Sequence, residues 1–294
     1  MLTTIGNTSV NPKESVKVMG IINISPESFY KDSIKQTENE IQDTLCEMED
    51  SGVDVIDVGG MSTAPYLRTI IPIELEVRRL YKAVSAIRQI SNIPISIDTT
   101  RSDVVKSLLK LEIDAINDVT GLKFDTKMSK LAYENDLPVI VGAYISNSAN
   151  PYHSGDVNDT LSLLRDSIML AQKAKINTDN LIIDPSIGFF RQDGRNPYFS
   201  KIKEMDWYIR DLEVLSNIQT FKYLSIPLCV SISRKSFIQS LFGLNVENRL
   251  IPSIIAEVYC AIHGASLIRT HNVKETRQAL EMLEVLRNKK RITL

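Results

Sequence analysis

The chain of 294 residues has few of the residues that build metal clusters and disulfide frameworks, since it contains three cysteines and three histidines. The cysteines are Cys46, Cys229 and Cys260, and none of them belongs to a Cys-x-x-Cys pair. This spacing excludes the common zinc and dithiol motifs, which need two cysteines close together in sequence. We therefore expect three reduced thiols in a protein of a reducing compartment.

Long apolar segments are also missing. No stretch approaches the roughly 18 consecutive apolar residues that a membrane span needs. The opening segment MLTTIGNTSVNPKES lacks the basic stretch and the apolar run of a secretory signal. We therefore expect a cytoplasmic protein that has no membrane partner.

Neither sign of charge dominates, because 34 Lys and Arg residues face 36 Asp and Glu residues, a net charge of −2. Such a balance creates no field that would attract nucleic acid, so we expect no nucleic-acid partner. Any site for an anion must therefore be built from a few local cations.

Glycine is absent from one turn where a common nucleotide-binding fold needs it. Short apolar segments, typical of buried parallel strands, alternate with longer amphipathic segments that are typical of helices. The turn after the first apolar segment reads NISPESF, whereas an open doubly wound sheet normally has a glycine-rich phosphate turn there. Eight strand–helix units instead predict an α/β fold of the (β/α)8 TIM-barrel type, as one domain over residues 1–294 with residues 1–16 as an N-terminal extension.

The predicted elements cover most of the chain. The predicted strands are residues 18–23, 53–59, 94–99, 115–119, 138–143, 181–186, 227–233 and 266–271. The predicted helices are residues 38–50, 73–90, 102–111, 127–135, 158–175, 198–215, 237–263 and 273–289. Three connections that follow strands are long, namely residues 24–37, 144–157 and 187–196, and in a barrel such loops surround the functional mouth.

Polar residues stand at the carboxyl ends of most predicted strands. They are Asn23, Asp57, Asp98, Asn117, Asp118, Asp184, Ser233, Arg234, Lys235, Arg269 and His271. In a TIM barrel these ends meet at one mouth, and catalytic groups come from there. Helix capping would explain a single Asp or Asn, but it does not explain Arg, Lys and His.

The strand-end residues divide by their hydrogen-bonding chemistry. Asp98, Asn117 and Asp184 offer acceptors for a row of N–H donors, such as the edge of an aminopyrimidine ring. Lys235, Arg269 and His271 offer donors to an anionic group. Because Mg²⁺ binds few protein oxygens beside water and phosphate, the amide oxygen of Asn23 could complete a magnesium shell. The pattern predicts a site for a planar, donor-rich ring and a magnesium-bound phosphate.

Seven segments that follow seven of the predicted strands resemble those of dihydropteroate synthases, in the same order along the chain. They are NISPESF, DVGGMSTAP, SIDTTRSDV, INDVTG, IIDPSIGF, SRKSFI and RTHNVKET. The resemblance implies an enzyme, a transferase that joins a hydroxymethyl-dihydropterin pyrophosphate to para-aminobenzoate and releases pyrophosphate. It also implies a homodimer that forms through the late helices.

The resemblance assigns roles to matching positions. Asp98, Lys235 and Arg269 would be catalytic. The pterin would bind to Asp98, Asn117, Asp184 and Lys235. The pyrophosphate and its Mg²⁺ would bind to Asn23, Arg269 and His271, beside Ser62 and Thr63. Ser236 would lie near the carboxylate of the arylamine.

The second loop departs from the family pattern. The family commonly reads Gly-Gly-Glu-Ser-Thr-Arg-Pro-Gly, whereas this chain has Met61, Ala64 and Tyr66 in place of the Glu, the Arg and the last Gly. The amine end is therefore altered, and a larger arylamine such as a ribofuranosyl-aminobenzene phosphate stays an alternative substrate. Candidate cations for the extra phosphate are Arg68, Arg191 and Arg195. Two further alternatives are a pterin-dependent methyltransferase and a pterin-binding protein without catalysis.

Overall fold

The computed structural model of the protein describes residues 3–26, 35, 37–145 and 154–287. Most of the predicted loops 24–37 and 144–157 lies outside these residues. The strands are β1 (Thr3–Ile5), β2 (Thr8–Val10), β3 (Lys17–Asn23), β4 (Val55–Gly59), β5 (Ile95–Asp98), β6 (Ala115–Asp118), β7 (Val139–Gly142), β8 (Leu181–Asp184), β9 (Phe190–Arg191), β10 (Ser200–Lys201), β11 (Cys229–Ser231) and β12 (Leu267–Thr270).

Eight parallel strands form a ring. Their order is β11, β12, β3, β4, β5, β6, β7 and β8. A parallel bridge between Ile183 of β8 and Leu228, next to β11, completes the circuit. Because helices follow these strands around the outside, the structure confirms the predicted (β/α)8 TIM barrel.

The helices pack their apolar faces on the outer surface of the strands, and this layer forms the larger core. They are α1 (Glu38–Asp50), α2 (Ile73–Arg88), α3 (Ser102–Leu108), α4 (Met128–Glu134), α5 (Val157–Lys173), α6 (Trp207–Ser216), α7 (Ser236–Phe242), α8 (Leu250–His263) and α9 (Val273–Arg287). In the described ranges, no helix is both long and apolar enough to cross a membrane.

Two predicted helices had the wrong bounds. The segment 237–263 is divided, because α7 ends at Gly243, whose φ of 68° ends a right-handed helix. The segment 198–215 begins its helix only at Trp207. Its first residues instead form β10, which pairs with β9, and Asn196 Oδ1 accepts a hydrogen bond from the Tyr198 backbone N–H.

A separate apolar layer fills the barrel interior toward the amino-terminal ends of the strands. It consists of Ile5, Val10, Met19, Val55, Ala115, Ile140, Ile182, Cys229 and Leu267. Ile5 and Val10 belong to the hairpin of β1 and β2, which lies within the predicted N-terminal extension. Thr3 Oγ1 donates to the Leu181 carbonyl (2.9 Å) and Thr8 Oγ1 donates to the Asp54 carbonyl (3.1 Å). The hairpin therefore covers the amino-terminal end of the barrel.

The barrel interior becomes polar in the next layer, toward the carboxyl-terminal ends of the strands. Side chains two positions apart on a strand face the same way, so each inward residue of the apolar layer has an inward neighbour two residues later. On five strands that neighbour is polar or charged. These neighbours are Asp57, Asn117, Asp184, Ser231 and Arg269, and Asp98 follows the inward Ser96 in the same way. The alternation of the strands thus delivers the predicted polar set to the carboxyl-terminal mouth.

Truncation of a buried side chain in the β1–β2 hairpin should destabilise the whole barrel. Ile5→Ala removes a fully buried side chain, so we expect the free energy of unfolding to fall by about 2–5 kcal/mol. Urea denaturation followed by far-UV circular dichroism measures this change. Thr4→Ala, at an exposed position of the same strand, is the control. Equal midpoints for the two variants would show that the hairpin does not contribute to the core.

Candidate active site

One arginine links two carboxylates at the mouth. Arg269 Nε donates to Asp57 Oδ2 (2.6 Å), and Arg269 Nη2 donates to Asp98 Oδ2 (2.8 Å). The Asp57 side chain is fully buried, and those of Arg269 and Asp98 are 13% and 16% exposed. Arg269 comes from β12, while the aspartates come from β4 and β5. The pair of bonds therefore fixes the relative positions of three strand ends.

Asp57 was not among the residues to which the family resemblance assigned a role. Its Oδ2 also accepts a hydrogen bond from Asn117 Nδ2 (2.9 Å), so it lies between Arg269 and Asn117. Asp57 Oδ1 has no hydrogen-bond donor in the described part of the chain. The strand-end pattern in the sequence did include Asp57, but only the structure shows that it orients two predicted site residues.

The surroundings of Asp98 disfavour its charged form. Burial raises the pKa of Asp98 to about 7, although Arg269 opposes the shift, and the charge of Asp57 adds to it. A buried carboxylate of this kind gains most from a ligand that donates hydrogen bonds to it. A donor-rich ring edge would therefore favour the ionised form of Asp98.

Lys235 faces the same space from the other side of the barrel. Its Nζ donates to the Ile187 carbonyl (2.6 Å) and lies 4.4 Å from the centre of the Phe189 ring. Burial lowers the pKa of Lys235 to about 8, and Asp184 is the charge that most strongly opposes this shift. Gly188 has a φ of 85°, and a Cβ built there would lie 2.7 Å from Lys235 Cδ. The close approach of the lysine thus requires glycine at this position.

The side chain of Asp184, the last residue of β8, is held by a backbone N–H group. Its Oδ1 accepts a hydrogen bond from the Ser186 N–H (2.7 Å). Burial raises the pKa of Asp184, while Lys235 acts in the opposite direction. The two residues therefore form an acceptor and a donor that a ring edge could contact together.

His271 lies on the side of the mouth where the sequence predicts an anion. Its Nδ1 and Ser233 Oγ are 3.1 Å apart, and its backbone N–H donates to the same hydroxyl (3.2 Å). Burial, followed by the charges of Arg269, Arg234 and Lys235, lowers the pKa of His271 well below its ordinary value. His271 is therefore a neutral imidazole at pH 7, and the cations of this region are arginines and lysine.

The structure brings the predicted site residues together. Eight of the ten line a single pocket, and they are Asn23, Ser62, Thr63, Asp98, Lys235, Ser236, Arg269 and His271. Asn117 does not line this pocket but is linked to it by hydrogen bonds that run through Asp57 to Arg269, and the charge of Asp184 raises the pKa of Lys235 against the effect of burial. The Cys229 thiol lies in the apolar layer below, where burial raises its pKa well above the ordinary value.

The second and sixth mouth loops are tied to each other. Asn196 Nδ2 donates to the Ala64 carbonyl (2.7 Å), and the Arg195 N–H donates to the Pro65 carbonyl (2.7 Å). The segment with Met61, Ala64 and Tyr66 is thus held in place without the missing arginine. Of the three candidate cations, Arg68 and Arg195 are exposed, whereas Arg191 is buried and contacts Ser236.

Asn23 is the predicted magnesium ligand, and its surroundings can be tested against the needs of that ion. In the described ranges, no group of three or more His, Cys, Asp or Glu side chains could hold a metal by itself. Asn23 lies at the end of β3 and lines the same pocket as Arg269 and His271. A magnesium ion that takes one protein oxygen, with water and phosphate oxygens for the rest, fits this donor set.

Comparisons with known proteins point to one family. The pterin binding enzyme family matches residues 19–271. Dihydropteroate synthase of Clostridium beijerinckii is 31% identical over 96% of this chain and 98% of its own length. That of Escherichia coli is 30% identical over 91% of this chain and 90% of its own length. Among solved structures, a dihydropteroate synthase from Coxiella burnetii in complex with pteroic acid is 30% identical, with a TM-score of 0.80, and the match covers 98% of this chain and 99% of that one.

Removal of the shared arginine should destabilise the protein in a pH-dependent way. Arg269→Gln leaves Asp57 and Asp98 without their cation, so we expect a loss of about 3–5 kcal/mol in the free energy of unfolding at pH 8. The loss should be smaller at pH 6, because protonation of a carboxylate whose pKa is raised removes part of the uncompensated charge. Chemical denaturation at the two pH values measures the difference.

The control for this experiment is Arg78→Gln, which removes the same charge at an exposed position of α2. We expect this variant to unfold almost like the parent at both pH values. A destabilisation by Arg269→Gln that does not change between pH 6 and pH 8 would contradict the ionic role of Arg269.

Proposed function

Because the chain belongs to the dihydropteroate synthase family of pterin-binding enzymes, we propose that it joins 6-hydroxymethyl-7,8-dihydropterin pyrophosphate to para-aminobenzoate and releases pyrophosphate. This is a transferase reaction of folate biosynthesis. The observation that carries the proposal is the convergence of Asp98, Lys235 and Arg269 on one pocket. The pocket combines acceptors for a donor-rich ring with cations for a leaving group that carries negative charge.

The pterin ring binds deepest in the mouth. Asp98, Asp184 and the Asn117 amide oxygen accept hydrogen bonds from ring N–H and amino groups, and Lys235 donates to an acceptor of the same ring. Two of these groups are held in place before the substrate arrives, since Asn117 donates a hydrogen bond to Asp57 and Lys235 donates one to the Ile187 carbonyl. Such preorganisation reduces the reorganisation that the reaction requires.

Bond breaking creates charge at both ends of the pterin substrate. The C–O bond between the pterin methylene and the pyrophosphate breaks, and its electron pair leaves with the pyrophosphate oxygen. The ionised Asp98 stabilises the positive charge that spreads from the methylene into the ring. Arg269 and the neutral His271 donate to the departing pyrophosphate, and the amine lone pair of the arylamine then forms the new C–N bond. The proton of the amine is released afterwards, so no strong base is needed.

Magnesium is the cofactor that we propose for this site. Asn23 would hold it together with the substrate pyrophosphate and water, beside Ser62 and Thr63 of the second loop. When bound, the ion neutralises charge on the leaving pyrophosphate. Asn23 orients this end of the substrate relative to Arg269, which lines the same pocket.

We also propose that the protein is a homodimer. Helix α8 exposes an apolar stripe at helical spacing, formed by Ile251, Ile255, Tyr259 and Ile262. The neighbouring α9 adds exposed Met282 and Leu286. Contiguous exposed apolar surface of this kind is typical of protein–protein interfaces. A second copy that packs α8 against α8 would bury the stripe.

Asp98→Asn tests the catalytic proposal. An amide presents a donor where the ring already has donors, so we expect a loss of about 10²–10³ in kcat. In the parent, kcat/KM for the pterin substrate should fall as the pH drops below about 7, because protonation of Asp98 removes the acceptor. Pyrophosphate release with para-aminobenzoate and Mg²⁺ measures both effects, and EDTA should abolish release until Mg²⁺ is restored.

The control for this assay is Asp103→Asn, which makes the same change at an exposed position of α3 and should leave turnover unaltered. Turnover by Asp98→Asn at the parental rate would contradict the role of Asp98. Pterin binding without any amine-dependent release of pyrophosphate by the parent would identify a binding protein and not a synthase.

The dimer proposal predicts the effect of one charge on α8. Ile255→Glu places a carboxylate in the centre of the apolar stripe, so we expect a monomer where the parent is a dimer. Light scattering after size-exclusion chromatography measures the mass. Met169→Glu, at an exposed apolar position of α5, should remain dimeric. A parent that elutes as a monomer at micromolar concentration would refute the proposal.

A further inference from the structure

The active-site pocket continues outward into a second, open groove. Ser236 and Tyr66 line both spaces, so they form the border between them. The groove has a volume of about 890 Å³, and its other lining residues include Arg191, Trp207 and Arg249. This space is large enough for a substituent of amino-acid size. The end of the site where the arylamine enters is therefore not closed behind Ser236.

Arg191 has a fixed position at this border. Its guanidinium is stacked on the Trp207 ring, with the guanidinium carbon 3.6 Å from the ring centre. Arg191 Nη1 donates to the Phe190 carbonyl (2.8 Å), and Nη2 donates to Ser236 Oγ (2.8 Å). Only 5% of the residue is exposed. One edge of the guanidinium thus points at the hydroxyl that the resemblance places near the carboxylate of the arylamine.

The charge of Arg191 has no close counter-ion within the described ranges, because no carboxylate oxygen there lies within 4.0 Å of its guanidinium. Burial lowers the pKa of Arg191 to about 10, with Asp211 acting in the opposite direction, so the group is still a cation at neutral pH. A buried cation of this kind is costly unless an anion compensates it.

Two other buried arginines lie in this region, and one of them, Arg210, has a carboxylate partner. Arg210 is paired with Asp211 (3.1 Å). Arg249 donates to the carbonyls of Leu244 and Arg234 and to the Gln239 side chain. Arg191 differs because its hydrogen bonds to protein include one to a hydroxyl that also borders the substrate pocket. Its positive charge is therefore available to a ligand.

We propose that Arg191 binds the anionic end of the arylamine, together with Ser236, in place of the cation that is absent at Ala64. This inference rests on the proposed function and adds a specificity-determining residue for its second substrate. The anion is either a carboxylate on the aromatic ring or an acidic group on an amide-linked substituent that extends into the groove. Both sources present the same oxygen acceptors to the planar guanidinium.

A comparison of three amines tests the proposal. They are para-aminobenzoate, its amide with glutamate, and the neutral para-aminobenzamide. In the parent we expect kcat/KM to be higher for the anionic amines than for the neutral amide. Arg191→Gln should lower kcat/KM for the anionic amines by roughly 10- to 100-fold, the effect of losing a charge-assisted hydrogen bond. For the neutral amine, kcat/KM should change by no more than about threefold, since this amine has no anion for Arg191 to bind.

The pattern across amines identifies the anion. A loss with para-aminobenzoate places the ring carboxylate at Arg191, whereas a loss confined to the glutamate amide places the acidic tail there. Arg191→Lys keeps the charge and should retain part of the preference for anions. Arg195→Gln, at an exposed position of the same loop, should leave the preference unchanged.

Two results would overturn the inference. One is a parent whose kcat/KM for the neutral amide equals that for para-aminobenzoate. This result needs no variant. The other is an equal loss for all three amines in Arg191→Gln, which would show a purely structural role. A parent that forms no product with any amine would instead refute the proposed function. Binding of the pterin pyrophosphate to each variant, measured by calorimetry, shows that the pterin end is intact.

Discussion

The mouth of the barrel depends on one guanidinium that two carboxylates share. Arg269 holds Asp57 and Asp98 at distances of 2.6 and 2.8 Å, and Asp57 in turn holds Asn117. Two carboxylates cannot both remain ionised in a poorly solvated space unless a cation lies between them. The same arrangement leaves Asp98 with a raised pKa, so a ligand that donates hydrogen bonds to it binds strongly.

Two cations near this centre donate hydrogen bonds to backbone carbonyls. Lys235 donates to the Ile187 carbonyl, and Arg191 donates to the Phe190 carbonyl. A carbonyl dipole orients a cation without cancelling its charge, so both residues can still attract an anion. The mouth therefore offers positive charge to a pyrophosphate at one end and to a second anion at the other.

Much of the fold and of the candidate site could be predicted from the sequence. The alternation of apolar segments with helices predicted the barrel, and the polar strand ends predicted which residues meet. The role of Asp57 was missed because it acts on Arg269 and Asn117, and such a contact has no signature in sequence. Arg191 was one of three candidate cations, and nothing local in the sequence distinguished it from Arg68 and Arg195 or indicated that Trp207 and Phe190 fix it beside Ser236. The helix break at Gly243 was missed because apolar residues continue on both sides of it.

The sequence by itself determined which side chains face the barrel interior and at which end the polar ones lie, because the strand period of two is a local property of the backbone. It also determined the chemistry available at the mouth. Only the tertiary structure decided which of these groups touch, since hydrogen bonds such as that between Arg269 and Asp98 join residues 171 positions apart. Ring closure brings such residues together, and burial in the closed ring, which depends on all eight strands, sets their pKa values and the strength of their pairing.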